Sequence, residues 1–124
     1  MPITDKVDVR TFARSMGTVL SYKLGDTIFQ ENDTPQFMYV VLAGSVEIST
    51  HGKQIETIHE GDAFGILPLL DDLPVPITAR ASEICELALI DRKKFRFMVE
   101  EVPNFVWYVM GELAHRLRTT NAAL

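Results

Sequence analysis

Residues 37–50 read FMYVVLAGSVEIST and contain two strand patterns joined by one short turn. The first run, 37–42, is rich in β-branched and aromatic residues, as strands are. Gly44 allows the positive φ that a tight reversal needs. In the second run Val46 and Ile48 face one way, and Ser45, Glu47 and Ser49 face the other. The stretch therefore predicts two strands joined by a tight reversal.

The same pattern extends outward in both directions over residues 18–90. Strand-like runs are predicted at Thr18–Leu24, Thr27–Phe29, Phe37–Leu42, Ser45–Thr50, Gln54–Ile58, Ile77–Ala81 and Ile84–Ile90. The connections carry turn residues such as Gly25-Asp26, Glu31-Asn32-Asp33, His51-Gly52 and Glu60-Gly61-Asp62. This spacing of short strands predicts an antiparallel sandwich or barrel over about residues 18–90.

Helical patterns occur only at the two ends of the chain. Asp91 is placed to cap a helix over about 91–101, and Pro103 suits the first turn of a second helix over about 103–118. The second helix carries an apolar stripe, Val106, Val109, Met110, Leu113 and Leu117. The stripe either packs on its own domain or forms a dimer seam. Trp107 and Tyr108 beside it favour the seam, because large aromatics are enriched at interfaces.

Composition limits the classes of partner. The chain has 124 residues, 47% of them hydrophobic, and a formal net charge of −5. We expect one domain spanning residues 1–124 and no dominant nucleic-acid or anionic-membrane surface, since those partners are held by clustered Lys and Arg. The N-terminus has no apolar stretch of signal-peptide length, no run is long enough to cross a membrane, and Cys85 is the only cysteine. These features predict a cytoplasmic location.

Two longer stretches resemble a known family. Residues 25–33, GDTIFQEND, and 38–48, MYVVLAGSVEI, match the first half of cyclic-nucleotide-binding domains of the catabolite-activator type in their turns, Ile-Phe pair and Tyr-x-Val-x-x-Gly-x-Val spacing. The resemblance continues through Gly61-Asp62-Ala63-Phe64-Gly65 and Pro74 to residues 78–90. It implies a mainly β fold, a double-stranded β-helix or jelly roll, with a short N-terminal helix, a cassette helix and C-terminal helices. Asn32 stands where the family has Gly, which the left-handed region tolerates.

The family holds its ligand in a phosphate-binding cassette. A Glu after Phe-Gly accepts from the ribose, an Arg after the cassette Pro holds the phosphate, and helical N–H groups complete the site. Matching Phe64-Gly65 and Pro74 to that pattern places Ile66 at the Glu position and Val75 at the Arg position. Both ligand-holding residues are absent, and Pro68 and Pro76 remove N–H donors. The resemblance implies a pocket formed by Phe64, Gly65, Ile66, Leu67, Val75, Pro76, Ile77 and Thr78.

Three alternatives remain open for this pocket. It holds a more apolar small molecule, it holds a nucleotide-like anion through Thr78 or Arg80, or its own side chains fill it and the domain works through protein contacts. No cofactor is expected.

The sequence contains no motif typical of an enzyme or of a metal site. His51, His59 and His115 are too far apart for a metal site, and the His-x-His of metal-binding cupins is missing. No nucleophile or phosphate-loop motif is present. We therefore expect no catalytic activity and no bound metal.

The leading hypothesis is a regulatory sensor domain. By the family's mechanism, a ligand in the roll repositions the C-terminal helices, and Trp107, Tyr108, Met110, Leu113 and Leu117 present the helix to a dimer mate or partner protein. Only residues 119–124 follow Arg118, too few for the family's helix-turn-helix, so we expect no direct DNA binding by this chain. The alternatives are a ligand-free scaffold or interaction domain, and a sensor domain cut from a larger regulator.

Overall fold

A computed structural model describes the backbone of residues 6–123 and the side chains of residues 9–119. Eight strands and one short helix lie between an N-terminal helix and two C-terminal helices. In chain order the elements are α1 Lys6–Met16, β1 Thr18–Tyr22, β2 Thr27–Phe29, β3 Phe37–Ala43, β4 Val46–Thr50, β5 Lys53–Ile58, β6 Ala63–Phe64, α2 Leu67–Asp71, β7 Thr78–Ala81, β8 Cys85–Asp91, α3 Arg92–Glu101 and α4 Phe105–Ala123.

The strands form two four-stranded antiparallel sheets. Their orders are β1-β8-β3-β6 and β2-β7-β4-β5, so successive strands cross between the sheets as in a jelly roll. The predicted mainly β double-stranded β-helix is confirmed. Strands β5 and β6 lie at the edges of their sheets, and this open edge is where the pocket lies.

Strand β3 is apolar throughout because both of its faces are covered. Met38, Val40 and Leu42 face the helices and belong to one core cluster with Phe95 and Tyr108. The alternate residues of β3 pack between the two sheets in a second cluster. This continuous burial explains why the run lacks the polar alternation of a half-exposed strand.

The helix at Asp91 begins as predicted. The Asp91 side chain accepts a hydrogen bond from Lys94 N at 2.8 Å, which confirms the N-cap. The next helix begins at Phe105 rather than Pro103, because Asn104 has a φ of 67° and interrupts the helical path. Asn32 also has a positive φ, 74°, as its replacement of the family's Gly required.

The buried face of α4 differs from the predicted stripe. Phe105, Tyr108, Val109 and Glu112 are buried, whereas Val106, Met110 and Leu117 are exposed. The prediction that Tyr108 lies at a dimer seam is wrong for its side chain, which is only 2% exposed. Its hydroxyl donates to Gly61 O at 2.8 Å, and its ring stacks near Phe105. Trp107 remains exposed, and Leu113 packs partly buried against the helix-facing core.

Candidate functional site

The cassette begins where β6 turns into α2. Gly65 makes this turn with a φ of 76°, and a Cβ there would lie 2.9 Å from Tyr39 Cδ1. Glycine is therefore required both by the backbone conformation and by the neighbouring ring. Ile66 follows at the N-cap position of α2, and its side chain makes no capping hydrogen bond. Gly65 thus fixes the turn, and the side chain that follows it is apolar.

An open pocket lies between the cassette, the edge strands and α4. Its volume is about 390 Å³, and its lining residues are mostly apolar. Seven of the eight predicted cassette positions line it: Phe64, Gly65, Ile66, Leu67, Val75, Pro76 and Ile77. The structure adds Ile48, Ile55, Glu56, Ala63, Pro68, Leu113, Arg116 and Leu117. The cassette prediction therefore located the pocket, but it missed the wall that α4 supplies.

Thr78 and Arg80, the residues considered for an anion contact, do not line the pocket. The Thr78 hydroxyl accepts from Glu31 N at 3.1 Å and donates to a Glu31 carboxylate oxygen at 3.4 Å. Arg80 is exposed on β7, where the side chains of Ala79 and Ala81 point into the core. The alternation of the strand turns Arg80 away from the interior, so this geometry does not provide the substituted anion contact.

Ile66 and Val75 leave the pocket open rather than plugging it. Both are buried, but Ile66 belongs to the helix-facing core cluster and Val75 to the cluster between the sheets. The Val75 backbone is fixed by hydrogen bonds to Asn32 and Asp33, each 2.8 Å long. Both residues line the pocket, and about 390 Å³ of space remains beside them for a ligand.

The cassette also supplies few backbone donors. Pro68 and Pro76 have no N–H, and Leu69 N already donates to Ile66 O at 3.0 Å. A helix N-terminus binds an anion through free N–H groups. The cassette therefore offers few free N–H groups to an anion.

Three side chains of α4 anchor it to the chain around β6. Tyr108 donates to Gly61 O, Glu112 accepts from Ala63 N at 2.7 Å, and Arg116 donates to Ala63 O at 2.6 Å. The residues are spaced by four, so they project from one face of the helix. We call Tyr108, Glu112 and Arg116 the α4 anchor. It satisfies both main-chain groups of an edge-strand residue.

Arg116 also bridges the two sheets at the pocket. While it donates to Ala63 O on β6, it donates to Glu56 Oε2 on β5 at 2.9 Å. Glu56 Oε2 lies 3.0 Å from His115 Nε2 as well. Arg116 Nε is buried without a hydrogen-bond partner among the described residues. The single guanidinium at the pocket wall is thus committed to holding the edge strands and α4 together.

Arg92 connects the cassette helix to α3. Its guanidinium donates to Leu69 O at 2.9 Å and Pro68 O at 3.2 Å, which are carbonyls of α2, and pairs with Asp72 at 2.6 Å. Asp72 has a φ of 58° and ends α2. Arg92 therefore ties the cassette helix to the start of α3.

These polar residues were missed by sequence reasoning. Tyr108, Glu112 and Arg116 do recur at intervals of four, and that spacing was the available signal. Glu56 and Arg92 gave none, because their partners lie 60 and 23 residues away in the chain.

Burial changes the acidity of several groups near the core. It raises the pKa of the Tyr108 hydroxyl, the neighbouring Glu112 carboxylate adding to the effect, and it raises the pKa of Tyr39 to about 12. It also raises the pKa of the Cys85 thiol, which favours the unreactive protonated form. None of these groups is thereby prepared for catalysis.

The described residues contain neither a metal-binding cluster nor a membrane-spanning helix. Within residues 9–119, no three His, Cys, Asp or Glu side chains are grouped so that they could hold a metal ion. No helix in the described part of the chain is long and apolar enough to cross a membrane.

Comparison with known proteins agrees with the fold. Rap guanine nucleotide exchange factor 3 of Mus musculus is 34% identical over 95 residues, covering 72% of this chain and 10% of the exchange factor. The cAMP-activated global transcriptional regulator CRP of Salmonella typhimurium is 26% identical over 106 residues, covering 81% of this chain and 50% of the regulator. The chain thus matches only part of each relative's length.

Solved structures and a family profile point the same way. The crystal structure of Thermus thermophilus Catabolite Activator Protein matches with a TM-score of 0.79 at 28% identity, covering 95% of this chain and 56% of that one. The profile of the family described as cyclic nucleotide-binding domain matches residues 19–102, which include the whole cassette. This chain therefore belongs to the cyclic nucleotide-binding domain family.

Proposed function

We propose that this chain is a regulatory module whose cassette pocket binds a ligand other than a cyclic nucleotide held in the family's usual way. One observation carries the proposal: the pocket is open, and Ile66 and Val75 occupy the positions where the family resemblance places the ribose-binding Glu and the phosphate-binding Arg. The pocket has been kept while its polar contacts have been replaced.

The size of the expected loss in affinity for a cyclic nucleotide supports this proposal. Hydrogen bonds to charged groups contribute roughly 1.5–3 kcal/mol each. Losing both reduces the affinity for a cyclic nucleotide by roughly two to four powers of ten. Pro68 also removes one backbone N–H from the first turn of α2, the cassette helix. Ordinary cyclic AMP or cyclic GMP sensing is therefore not expected.

An open pocket favours ligand binding over a scaffold role. A side-chain-packed interior would have supported a rigid scaffold, whereas about 390 Å³ of lined space falls in the range of small-molecule sites. The pocket wall includes Leu113, Arg116 and Leu117 of α4, so a ligand would contact the helix that the family uses to pass on its signal. We assign no catalytic role and no cofactor to this chain.

The exposed face of α4 supports a protein partner as the receiver of the signal. Val106, Trp107 and Met110 are 39%, 49% and 51% exposed. Exposed apolar groups on one helix are typical of interaction sites. We propose that α4 contacts a second copy of this chain or another cytoplasmic protein. The same exposed face supports the second candidate function, a protein-interaction module that binds no ligand.

Calorimetric titration with cyclic AMP and cyclic GMP tests the main proposal. We expect no saturable binding at micromolar concentrations by the natural sequence. The double substitution Ile66→Glu with Val75→Arg should gain measurable binding, because it restores both of the side-chain contacts that the family uses. The single substitution Val75→Arg serves as the matched control and should gain less. Micromolar binding of either nucleotide by the natural sequence would refute the proposal.

A further inference from the structure

The pocket has one polar end and an otherwise apolar wall. Among the described residues that line it, Glu56 and Arg116 are the charged ones, and both lie where β5 and β6 meet α4. Glu56 and Arg116 are 10% and 20% exposed as side chains, so little water reaches this end. The chemistry of the polar end therefore determines which ligand charge the pocket accepts.

The positive charge at that end is already neutralised. Arg116 is held by Glu56 at 2.9 Å and lies 3.4 Å from Glu112, so two carboxylates face one guanidinium. The adjacent His115 adds positive charge only when protonated. An anionic ligand would lose its hydration and meet no uncompensated cation, which makes its burial unfavourable.

A cationic ligand meets a similar obstacle. The Glu56 carboxylate is the acidic group in the lining, and it already accepts from Arg116. A ligand cation would have to share that carboxylate with Arg116 and His115, and it would lose its own hydration in an otherwise apolar pocket. The apolar surface, in contrast, gains free energy from any hydrocarbon that covers it.

We infer that the pocket binds an uncharged, mainly apolar molecule. This inference rests on the proposed function and specifies its ligand class. A volume of about 390 Å³ corresponds to roughly a dozen water molecules at about 30 Å³ each, so the ligand has on the order of a dozen non-hydrogen atoms. Leu67 and Leu117 line the pocket while remaining 45% and 62% exposed, and they form an apolar mouth through which such a molecule enters.

A pair of probes that differ in charge tests the inference. The uncharged dye N-phenyl-1-naphthylamine reports occupancy by fluorescence, and 1-decanol and decanoate compete with it on the full chain. We expect saturable dye binding, with 1-decanol displacing the dye at a concentration at least about tenfold lower than decanoate, a difference of one decade in affinity. Ile77→Trp, which fills the half-buried pocket wall, should abolish saturable binding while circular dichroism shows an intact fold.

A charge variant tests the cause of the selectivity. Glu56→Gln leaves the Arg116 charge less compensated, so the preference for 1-decanol should shrink several-fold. Glu101→Gln removes an exposed carboxylate on α3 and should leave the preference unchanged. If decanoate competes as well as 1-decanol at a site that Ile77→Trp removes, the uncharged-ligand inference is wrong and the proposed function stands. If no probe binds the folded protein, or if Ile77→Trp leaves binding unchanged, the uncharged-ligand inference is overturned, whereas the proposed function is overturned by micromolar binding of cyclic AMP or cyclic GMP.

Discussion

Replacing Glu112 by Ala should loosen the attachment of α4 to the roll. Glu112 is 8% exposed, and its carboxylate accepts from Ala63 N at 2.7 Å. The substitution leaves that buried N–H without its acceptor, which costs about 1–3 kcal/mol. The Arg116 contact adds little because it is long, at 3.4 Å, and Arg116 keeps Glu56. The expected loss in the free energy of unfolding is about 2 kcal/mol.

Chemical and thermal unfolding measure this loss. A chain of this size loses roughly 3–5 °C in Tm for each kcal/mol, so Glu112→Ala should lower Tm by about 6–10 °C. Glu112→Gln keeps an acceptor oxygen, so its loss in the free energy of unfolding should be at most half of that of Glu112→Ala. Glu101→Ala, at an exposed site on α3, is the control and should change little. If the free energy of unfolding of Glu112→Ala lies within about 0.5 kcal/mol of that of the natural sequence, the α4 anchor does not stabilise the attachment of the helix.

Two further predictions concern the cassette helix and the buried phenols. Arg92→Ala should speed hydrogen exchange at the α2 amides, because it removes the donor to Leu69 O and Pro68 O. Mass spectrometry measures this exchange, which should be unchanged in the exposed control Lys93→Ala. Equal protection of α2 in both variants would contradict the role of Arg92 in holding α2. The raised pKa values of Tyr39 and Tyr108 favour the neutral phenols in the folded state. Their contribution to the free energy of unfolding is therefore present in full up to about pH 10, the pKa of an unfolded tyrosine, and is lost as the pH rises further. Urea titrations at successive pH values measure this loss, and an unchanged free energy of unfolding above about pH 11 would contradict the burial of the phenols.

Local patterns were sufficient to predict most of the roll. Short apolar runs separated by turn residues located seven strands, because each strand's periodicity and turn chemistry are properties of adjacent residues. Strand β6 was missed since its two residues, Ala63 and Phe64, are too few to show a period. The start of α4 was misplaced because Asn104, rather than Pro103, sets the boundary by adopting a left-handed conformation.

The site was predictable only in part. The family motif located Ile66 and Val75 by their distance from Phe64-Gly65 and Pro74, and both line the pocket. The buried side of α4 was not predictable from hydropathy alone. Glu112 reads as a surface residue in sequence, yet it is buried because its partner is a main-chain N–H that no sequence pattern displays. Pairing of side chains with an edge strand depends on the tertiary fold.

Under the proposed function, the α4 anchor sets a threshold for signalling. Its three hydrogen bonds, two of them involving charged side chains, together contribute roughly 3.5–7.5 kcal/mol at typical values. A state in which all three are broken is then populated at roughly one part in several hundred to one in several hundred thousand. A molecule that triggers release of the helix must bind the released state more tightly by at least that ratio. Weak or incidental occupants of the pocket would therefore leave the helix in place, and a module with the proposed function would discriminate against background ligands before any partner is involved.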